Sequence, residues 1–356
     1  MTTGALHIST PLLLHRPLSA LLGKQVLLKM DNLQPSGSFK LRGIGLMCQR
    51  AVATGATHLV CPSGGNAGFA AAVAGVALEV RTTVVVPRTT GEAVRQAIIA
   101  IGATVKVHGD AWDEADAEAR RLCGMPGAVY IPPFDHPDIW EGNASLIDEA
   151  VRQAAAIGRA AAPASAADAA DAAAAAAAPD SAMSRMPFDV VVCSVGGGGL
   201  LCGVLEGLHR NGLADVPVLA VETTGAASFA AAIAAGAPVA LPAIDTVATS
   251  LGARRVARAA CDWRLRHDIR SVVVSDAEAV DACVRFADDL RALVEPACGA
   301  ALAVGYANLP ALAEFSRPLF IVCGGIGIDL ATLGVLQQRF ATRMSRRTAP
   351  AAHFPA

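Results

Sequence analysis

Unbroken apolar runs alternate with stretches whose apolar positions recur every three to four residues. Residues 26–30, 58–61, 82–86, 104–107 and 129–131 read as strands, and 67–78, 92–101 and 112–122 between them read as helices. After the middle of the chain the alternation resumes, with strand-like runs at 190–195, 216–221, 271–274 and 319–322. Continuous Val, Ile and Leu separated by helices predicts parallel strands covered on both faces. Two clusters of this pattern predict two α/β domains with a site between them. One segment breaks the pattern: residues 160–183 are almost entirely Ala, Asp, Ser and Pro. Apart from the terminal Met183 they carry no large apolar side chain to anchor them, so they read as a surface insertion or linker, with alanine favouring a short exposed helix.

Composition narrows the class. A chain of 356 residues has room for two ordinary domains, and 53% hydrophobic against 17% charged residues excludes disorder over most of it. A net charge of −2 excludes the basic field of a nucleic-acid surface. The small basic cluster from Arg339 to Arg347 reads as a solvated helix face and tail. The nine cysteines are odd in number and form no C-x-x-C pair, which argues against a zinc cage or a disulfide framework. Cys193, Cys202 and Cys298 sit in apolar surroundings, as reduced thiols do. Residues 1–11 lack the basic flank and apolar run of a signal peptide, and no stretch reads as a membrane span. The expectation is a cytoplasmic protein with no membrane partner.

The chemistry concentrates in two glycine-rich turns and one lysine. Ser63-Gly64-Gly65-Asn66-Ala67-Gly68 follows the second strand-like run, and Gly196-Gly197-Gly198-Gly199 follows the run at 190–195. Each leads into a helical pattern, where unpaired backbone N–H groups make an anion site. The four glycines suit a phosphate, because bare backbone can approach it closely. A dinucleotide site is the rival: Gly197-x-Gly199-x-x-x-Gly203 is a loose Rossmann fingerprint, and Glu222 ends the next strand where a ribose-binding acid would stand. A plain tight turn also satisfies the pattern. Asn66 can donate and accept beside a bound anion, or simply close an Asx turn. Lys40 follows a Pro35–Gly37 turn and opens a helix. Partly desolvated, its amine would become a nucleophile; otherwise it is one more surface lysine. Cys323 ends the last strand, where parallel sheets place ligands, or is a buried structural thiol.

Taken together these residues resemble the fold-type II pyridoxal-phosphate (PLP) enzymes, and within them the L-serine/L-threonine dehydratase branch. The likeness runs from about Thr10 to Leu336, apart from the alanine-rich segment. Pro35-Ser36-Gly37-Ser38-Phe39-Lys40-Leu41-Arg42-Gly43 matches the cofactor-lysine signature, the most specific of the motifs. Tyr130-Ile131-Pro132-Pro133-Phe134-Asp135 with Ile139-Trp140-Glu141-Gly142, Glu295-Pro296-Ala297-Cys298-Gly299-Ala300-Ala301 and Cys323-Gly324-Gly325 match as well. The resemblance implies an α/β fold like tryptophan synthase β, with two open, twisted, mostly parallel sheets and helices on both faces. It implies a large PLP-binding domain at 1–40 and 137–340, a small domain at 41–136, and a tail at 341–356.

It also implies roles. Lys40 would carry the cofactor and act as the catalytic base, with Phe39 near the ring and Asn66 on the phenolic oxygen. Gly196, Gly197, Gly198 and Gly199 would hold the phosphate, and Cys323 would face the ring nitrogen. Ser63, Gly64, Asn66 and Ala67 would receive the substrate carboxylate. Glu222, Ala226, Ser228, Leu251 and Ala253 match a monovalent-cation site, such as one for K+, although Glu222 could equally be a helix cap or a buried acceptor. The implied activity is α,β-elimination from L-serine or L-threonine, in a homodimer whose partner is a small amino acid. Two departures stand out. Gly64 is often Ala in the mammalian serine dehydratase, and a smaller residue there could loosen substrate positioning. Gly327 replaces a frequent Asn. Open alternatives are a racemase or β-replacement synthase, a PLP-binding protein with little catalysis, and a NAD-dependent oxidoreductase.

Overall fold

The computed structural model describes residues 4–160 and 186–347. Beyond its first residue, the alanine-rich segment 160–183 lies outside the described residues, as does 348–356 of the tail. The remaining tail residues continue the last helix, α12 (Leu330–Arg347).

The first half builds a four-stranded parallel sheet in the order β5-β4-β3-β6, from β3 (His58–Cys61), β4 (Arg81–Val86), β5 (Thr104–Val107) and β6 (Ala128–Tyr130). Helices α3 (Asn66–Ala77), α4 (Glu92–Ile101) and α5 (Trp112–Leu122) connect its strands. The second sheet has six strands in the order β1-β2-β10-β7-β8-β9: β1 (Leu12–Leu14), β2 (Leu27–Lys29), β7 (Val190–Ser194), β8 (Val218–Thr223), β9 (Ile269–Val274) and β10 (Pro318–Ile321). Among the described residues only β1 runs antiparallel, against β2. β3, β7 and β10 are buried along their whole length, as strands covered on both faces must be.

Strand limits move by at most two residues from the expected ones, and those of β3 and β5 do not move. The strand expected at 216–221 runs Val218–Thr223 because its ladder with β9 continues through Glu222↔Val273 and Thr223↔Val274. Several elements have no counterpart in the sequence pattern, among them one strand and one long helix that shape the fold. The three-residue edge strand β1 is too short to carry a period, and the long helix α6 (Pro137–Ala160) has its pattern interrupted by glycine and small residues.

Each sheet contains one place where strand order reverses. β3 is flanked by β4 and β6, and β7 by β8 and β10. Loops at the carboxyl ends on either side of such a point diverge and leave a crevice. Ser63 and Phe134 follow β3 and β6, while Gly196 and Cys323 follow β7 and β10. The two crevices are brought together by two helices, α2 (Lys40–Ala53) and α6, which carry the chain from one sheet to the other and back. They cross closely: a Cβ on Gly43 would lie 2.4 Å from the Ile139 carbonyl oxygen, and one on Gly142 2.4 Å from that of Arg42.

Buried charge pins this crossing. The Arg42 guanidinium donates to Asp31 at 2.6 and 2.9 Å and to Glu149 at 2.9 and 2.7 Å. The Lys29 ammonium donates to Glu149 and to the Thr10 carbonyl, both at 2.6 Å. Arg42, Lys29 and Asp31 are fully buried. Two cations against two carboxylates leave the group neutral, the condition under which buried charge is tolerated. Burial opposes ionisation of Glu149, but hydrogen bonds from Arg42 and Lys29 outweigh it and lower its pKa to about 2.

Candidate active site

Lys40 opens α2, and the segment before it is stitched to the loop after β10. The Phe39 N–H donates to the Cys323 carbonyl at 3.0 Å, the Gly325 N–H donates to the Gly37 carbonyl at 2.9 Å, and Ser38 bridges Gly324. Gly37 has φ +75°, and a Cβ there would strike Ile326 Cγ2 at 2.4 Å, so glycine is required twice over. The half-buried Lys40 side chain lies 5.2 Å from the Phe39 ring centre and donates to the Pro133 carbonyl at 2.5 Å. Desolvation lowers its pKa from 10.5 to about 8, against the pull of Cys61, Cys323 and Glu295.

The tetraglycine turn faces it. Gly198 (φ +91°) precedes α7 (Gly199–Arg210), whose first-turn amides have no acceptor within the helix. A Cβ on Gly197 would lie 2.4 Å from the Phe134 ring, and one on Gly199 2.6 Å from the Phe134 carbonyl oxygen. The bare backbone is therefore demanded by packing as well as by any anion. Phe39, Lys40, Asn66, Gly196 to Gly199, Ser250, Leu251, Glu295 and Cys323 line one narrow cavity of about 50 Å3. Phe134 separates it from an open cleft of about 680 Å3 that also receives Trp112, Tyr130 and Arg255.

The rest of the lining is equally specific. Cys323 is buried, and its hydrogen bond with Cys298 together with burial pushes its thiol pKa well above the usual value, so it presents a neutral S–H. Ala67 is buried in the first turn of α3. Ser63 Oγ accepts from the Gly65 N–H at 3.3 Å, closing the turn. Gly68 lets the helix start press on that turn, since a Cβ there would overlap the Ser63 carbonyl. The space expected beside Gly64 is taken up: a Cβ on Gly64 would meet Thr90 Cγ2 at 2.9 Å and Val86 Cγ1 at 3.2 Å. Asn66 Nδ2 donates to Glu295 Oε1 at 2.8 Å and to Ser250 Oγ at 3.3 Å, while its Oδ1 accepts from the Ile326 N–H at 3.2 Å.

Glu222 is fully buried inside β8 and accepts from the N–H groups of Phe229 (2.7 Å) and Ala230 (2.8 Å), at the start of α8 (Ser228–Ala235). Burial raises its pKa to about 7. Buried and capping a helix, it is not available to a ribose. Gly203 is likewise a packing glycine rather than a dinucleotide one, since its Cβ would lie 2.4 Å from Asn143 Cβ. Ala226 is buried in the same turn, and the buried Ser228 Oγ has no hydrogen-bond partner. Leu251 sits against Gly196, where a Cβ on that glycine would lie 3.0 Å from Leu251 Cα. Ala253 follows on the same turn and donates its N–H to the Leu251 carbonyl at 2.7 Å.

Sequence reasoning gave Glu295, Ser250, Thr90 and Phe134 no role. The signal for Glu295 was present: an acid directly before a proline that opens an apolar helix should cap it. In α11 (Pro296–Tyr306) it does not, and the side chain turns into the cavity.

Comparison with known proteins agrees with this geometry. The pattern of the pyridoxal-phosphate dependent enzyme family matches residues 5–324. The chain is 44% identical over 348 residues to a human L-serine dehydratase/L-threonine deaminase, covering 95% of this chain and 97% of that one. It is 39% identical over 352 residues to an L-serine dehydratase of Dictyostelium discoideum, covering 95% and 93%. A fungal L-serine ammonia-lyase from Rhizomucor miehei superposes with a TM-score of 0.81 at 35% identity, covering 95% of this chain and all of that one. Among the described residues no helix is long and apolar enough to cross a membrane, and no group of three or more His, Cys, Asp or Glu could hold a metal. The match over nearly the whole length, on two mostly parallel sheets flanked by helices, makes this chain a member of the pyridoxal-phosphate dependent enzyme family, with its fold-type II architecture.

Proposed function

We propose that this chain deaminates L-serine and L-threonine by PLP-dependent α,β-elimination, releasing ammonia with pyruvate or 2-oxobutanoate. The observation that carries the reading is the meeting of a desolvated lysine amine, a tetraglycine helix start and a neutral thiol in one cavity. The names of the human and Dictyostelium relatives and of the fungal structure point the same way.

When bound, the cofactor supplies an electron sink for negative charge at the substrate Cα. The protein supplies the rest. The α7 amides and the bare backbone of Gly196 to Gly199 would hold the phosphate, and these residues fit it: the cradle lies where side chains would intrude and the helix dipole favours an anion. Lys40 would anchor the cofactor and then remove the Cα proton as the general base. Phe39 would flank the ring, and Asn66 would donate to its phenolic oxygen. Ser63, Gly64, Asn66 and Ala67 would bind the substrate carboxylate through the turn and first amides of α3. Cys323, holding its own proton, would leave the ring nitrogen unprotonated, which favours prompt loss of the β-hydroxyl over a long-lived carbanion.

The cation reading belongs here too. The unpartnered Ser228 hydroxyl and the desolvated Glu222 carboxylate fit a hard monovalent cation such as K+, held with carbonyls of Ala226, Leu251 and Ala253. We assign residues 41–136 to the smaller domain and 1–40 with 137–340 to the larger, and we place the protein in the cytoplasm as a homodimer.

Purified protein loaded with PLP and given L-serine, L-threonine or D-serine tests the activity. The expected result is ammonia and 2-oxo acid in equal amounts from the L-amino acids, abolished in Lys40→Ala. Equal turnover by the variant would refute the role of Lys40. Conversion of L-serine to D-serine without ammonia would move the protein among the racemases.

A further inference from the structure

Among the described residues, Glu295 is the one carboxylate lining the cavity. It is 5% exposed and sits directly before α11, yet makes no capping bond to that helix. Its Oε1 accepts from Asn66 Nδ2 at 2.8 Å, its Oε2 accepts from the Gly327 N–H at 3.4 Å, and the Ser250 hydroxyl also donates to the carboxylate. A buried carboxylate is costly unless its bonds serve something.

What they serve is the direction of one amide. Asn66 has two N–H donors on Nδ2 and one acceptor, Oδ1. The Ile326 N–H claims the acceptor, and the carboxylate claims one donor. A flipped amide would set its NH2 against the Ile326 N–H and its oxygen against the carboxylate, so both partners exclude the flip. One N–H remains, now 3.3 Å from Ser250 Oγ on the cavity wall. A carboxylate enforces this because it only accepts; an amide or hydroxyl could pair with either orientation.

We propose that Glu295 is a positioning residue which locks the Asn66 side chain so that its second N–H faces the cofactor ring. The inference rests on the cofactor reading above. It makes the acid before α11 part of the cofactor site although it touches the ring only through Asn66. It also ties together three segments, the start of α3, the loop after β10 and the start of α11, so that the donor is aimed before any ligand arrives.

The test separates aim from folding. Apo-protein is titrated with PLP, followed by the visible absorption of the lysine-bound cofactor, for wild type, Glu295→Ala, Glu295→Gln, Asn66→Ala and the Asn66→Ala/Glu295→Ala double variant. Urea unfolding of each apo-protein runs in parallel. Losing a charge-assisted partner predicts a Kd for PLP raised roughly ten- to hundredfold in Glu295→Ala. Glu295→Gln falls between, because it keeps an acceptor for Asn66 but sets an NH2 against Gly327. The apo unfolding midpoint of Glu295→Ala stays unchanged or rises, since a desolvated charge has been removed. The double variant binds no more weakly than Asn66→Ala alone. Additive losses, an unchanged Kd in Glu295→Ala, or a fall in the apo midpoint matching the loss of affinity would each overturn the proposal. Wild-type protein that takes up no PLP would instead overturn the cofactor reading itself.

Discussion

At the scale of single residues, the informative ones are those whose environment contradicts their chemistry. Lys40 is a strong base held where water is scarce, and its pKa falls from 10.5 to about 8 as a result. The sign follows directly. Below pH 8 the amine is protonated and cannot attack an aldehyde; above it the amine is free. The rate at which apo-protein captures PLP should therefore climb with pH up to about 8 and then level off, where an unperturbed lysine would still be climbing beyond 10. Stopped-flow absorption across pH 6 to 10 reads this directly, and a profile still rising at the upper end would show the amine to be solvated. Between the two values the folded chain binds fewer protons than the unfolded one, so this group's contribution to stability rises with pH across that window. Lys40 was legible in the sequence because its motif is specific. Glu295 stands in a motif that assigns it no role, because nothing in a linear pattern says which way a side chain turns. Gly64 shows the same limit: the sequence shows a missing methyl, and only the fold shows that Thr90 and Val86 already stand there.

At the scale of elements, the glycines after the phosphate turn do two jobs. Gly199, Gly203 and Gly207 recur every four residues along one face of α7. That face meets α6: a Cβ on Gly203 would lie 2.8 Å from the Trp140 carbonyl oxygen, and one on Gly207 2.7 Å from Ile147 Cβ and 2.8 Å from the Ala144 carbonyl oxygen. The helix that presents its amides to the phosphate is thus held by the helix returning from the smaller sheet. Gly207→Ala should cost about 1–3 kcal/mol through overpacking, lowering the urea midpoint. Gly334→Ala, in α12 with open space where its Cβ would go, should be neutral or stabilising by roughly 0.5–1 kcal/mol through helix propensity. If the two substitutions behave alike, close helix approach is not what Gly207 provides. In the sequence, Gly199 and Gly203 belong to a loose dinucleotide fingerprint. A spacing of four cannot tell a ligand from a neighbouring helix, so the structure had to decide.

At the scale of the whole molecule, two sheets contribute one crevice each, and the site exists only where they face one another. The neutral cluster of Arg42, Lys29, Asp31 and Glu149 stands at the point where both connecting helices cross, so the facing is built into buried charge rather than left to a flexible joint. A ligand that bridges both crevices and joins Lys40 should stabilise the fold by mass action, by about 2.7 kcal/mol when free PLP exceeds its Kd a hundredfold. Urea unfolding with and without PLP measures this, and Lys40→Ala should retain only the smaller part that the phosphate grip supplies. A midpoint that ignores PLP in the wild type would mean the cofactor is not held by the folded pocket.

The sequence by itself determined the class of fold and the chemistry of the parts. Runs of β-branched residues set between helical patterns favour parallel strands, and glycine clusters favour close turns; both are local preferences carried by short-range sterics. It did not determine which parts meet. Strand order puts the turns after β3 and β6 opposite those after β7 and β10, and that order follows from long-range pairing no window along the chain contains. The direction of Asn66, the turn of Glu295 away from its helix, the filling of the space at Gly64 and the cap that Glu222 places on α8 all arise from such meetings. They were decided by packing in three dimensions, where a side chain's partner is set by which backbone lies opposite it rather than by its neighbours in the chain.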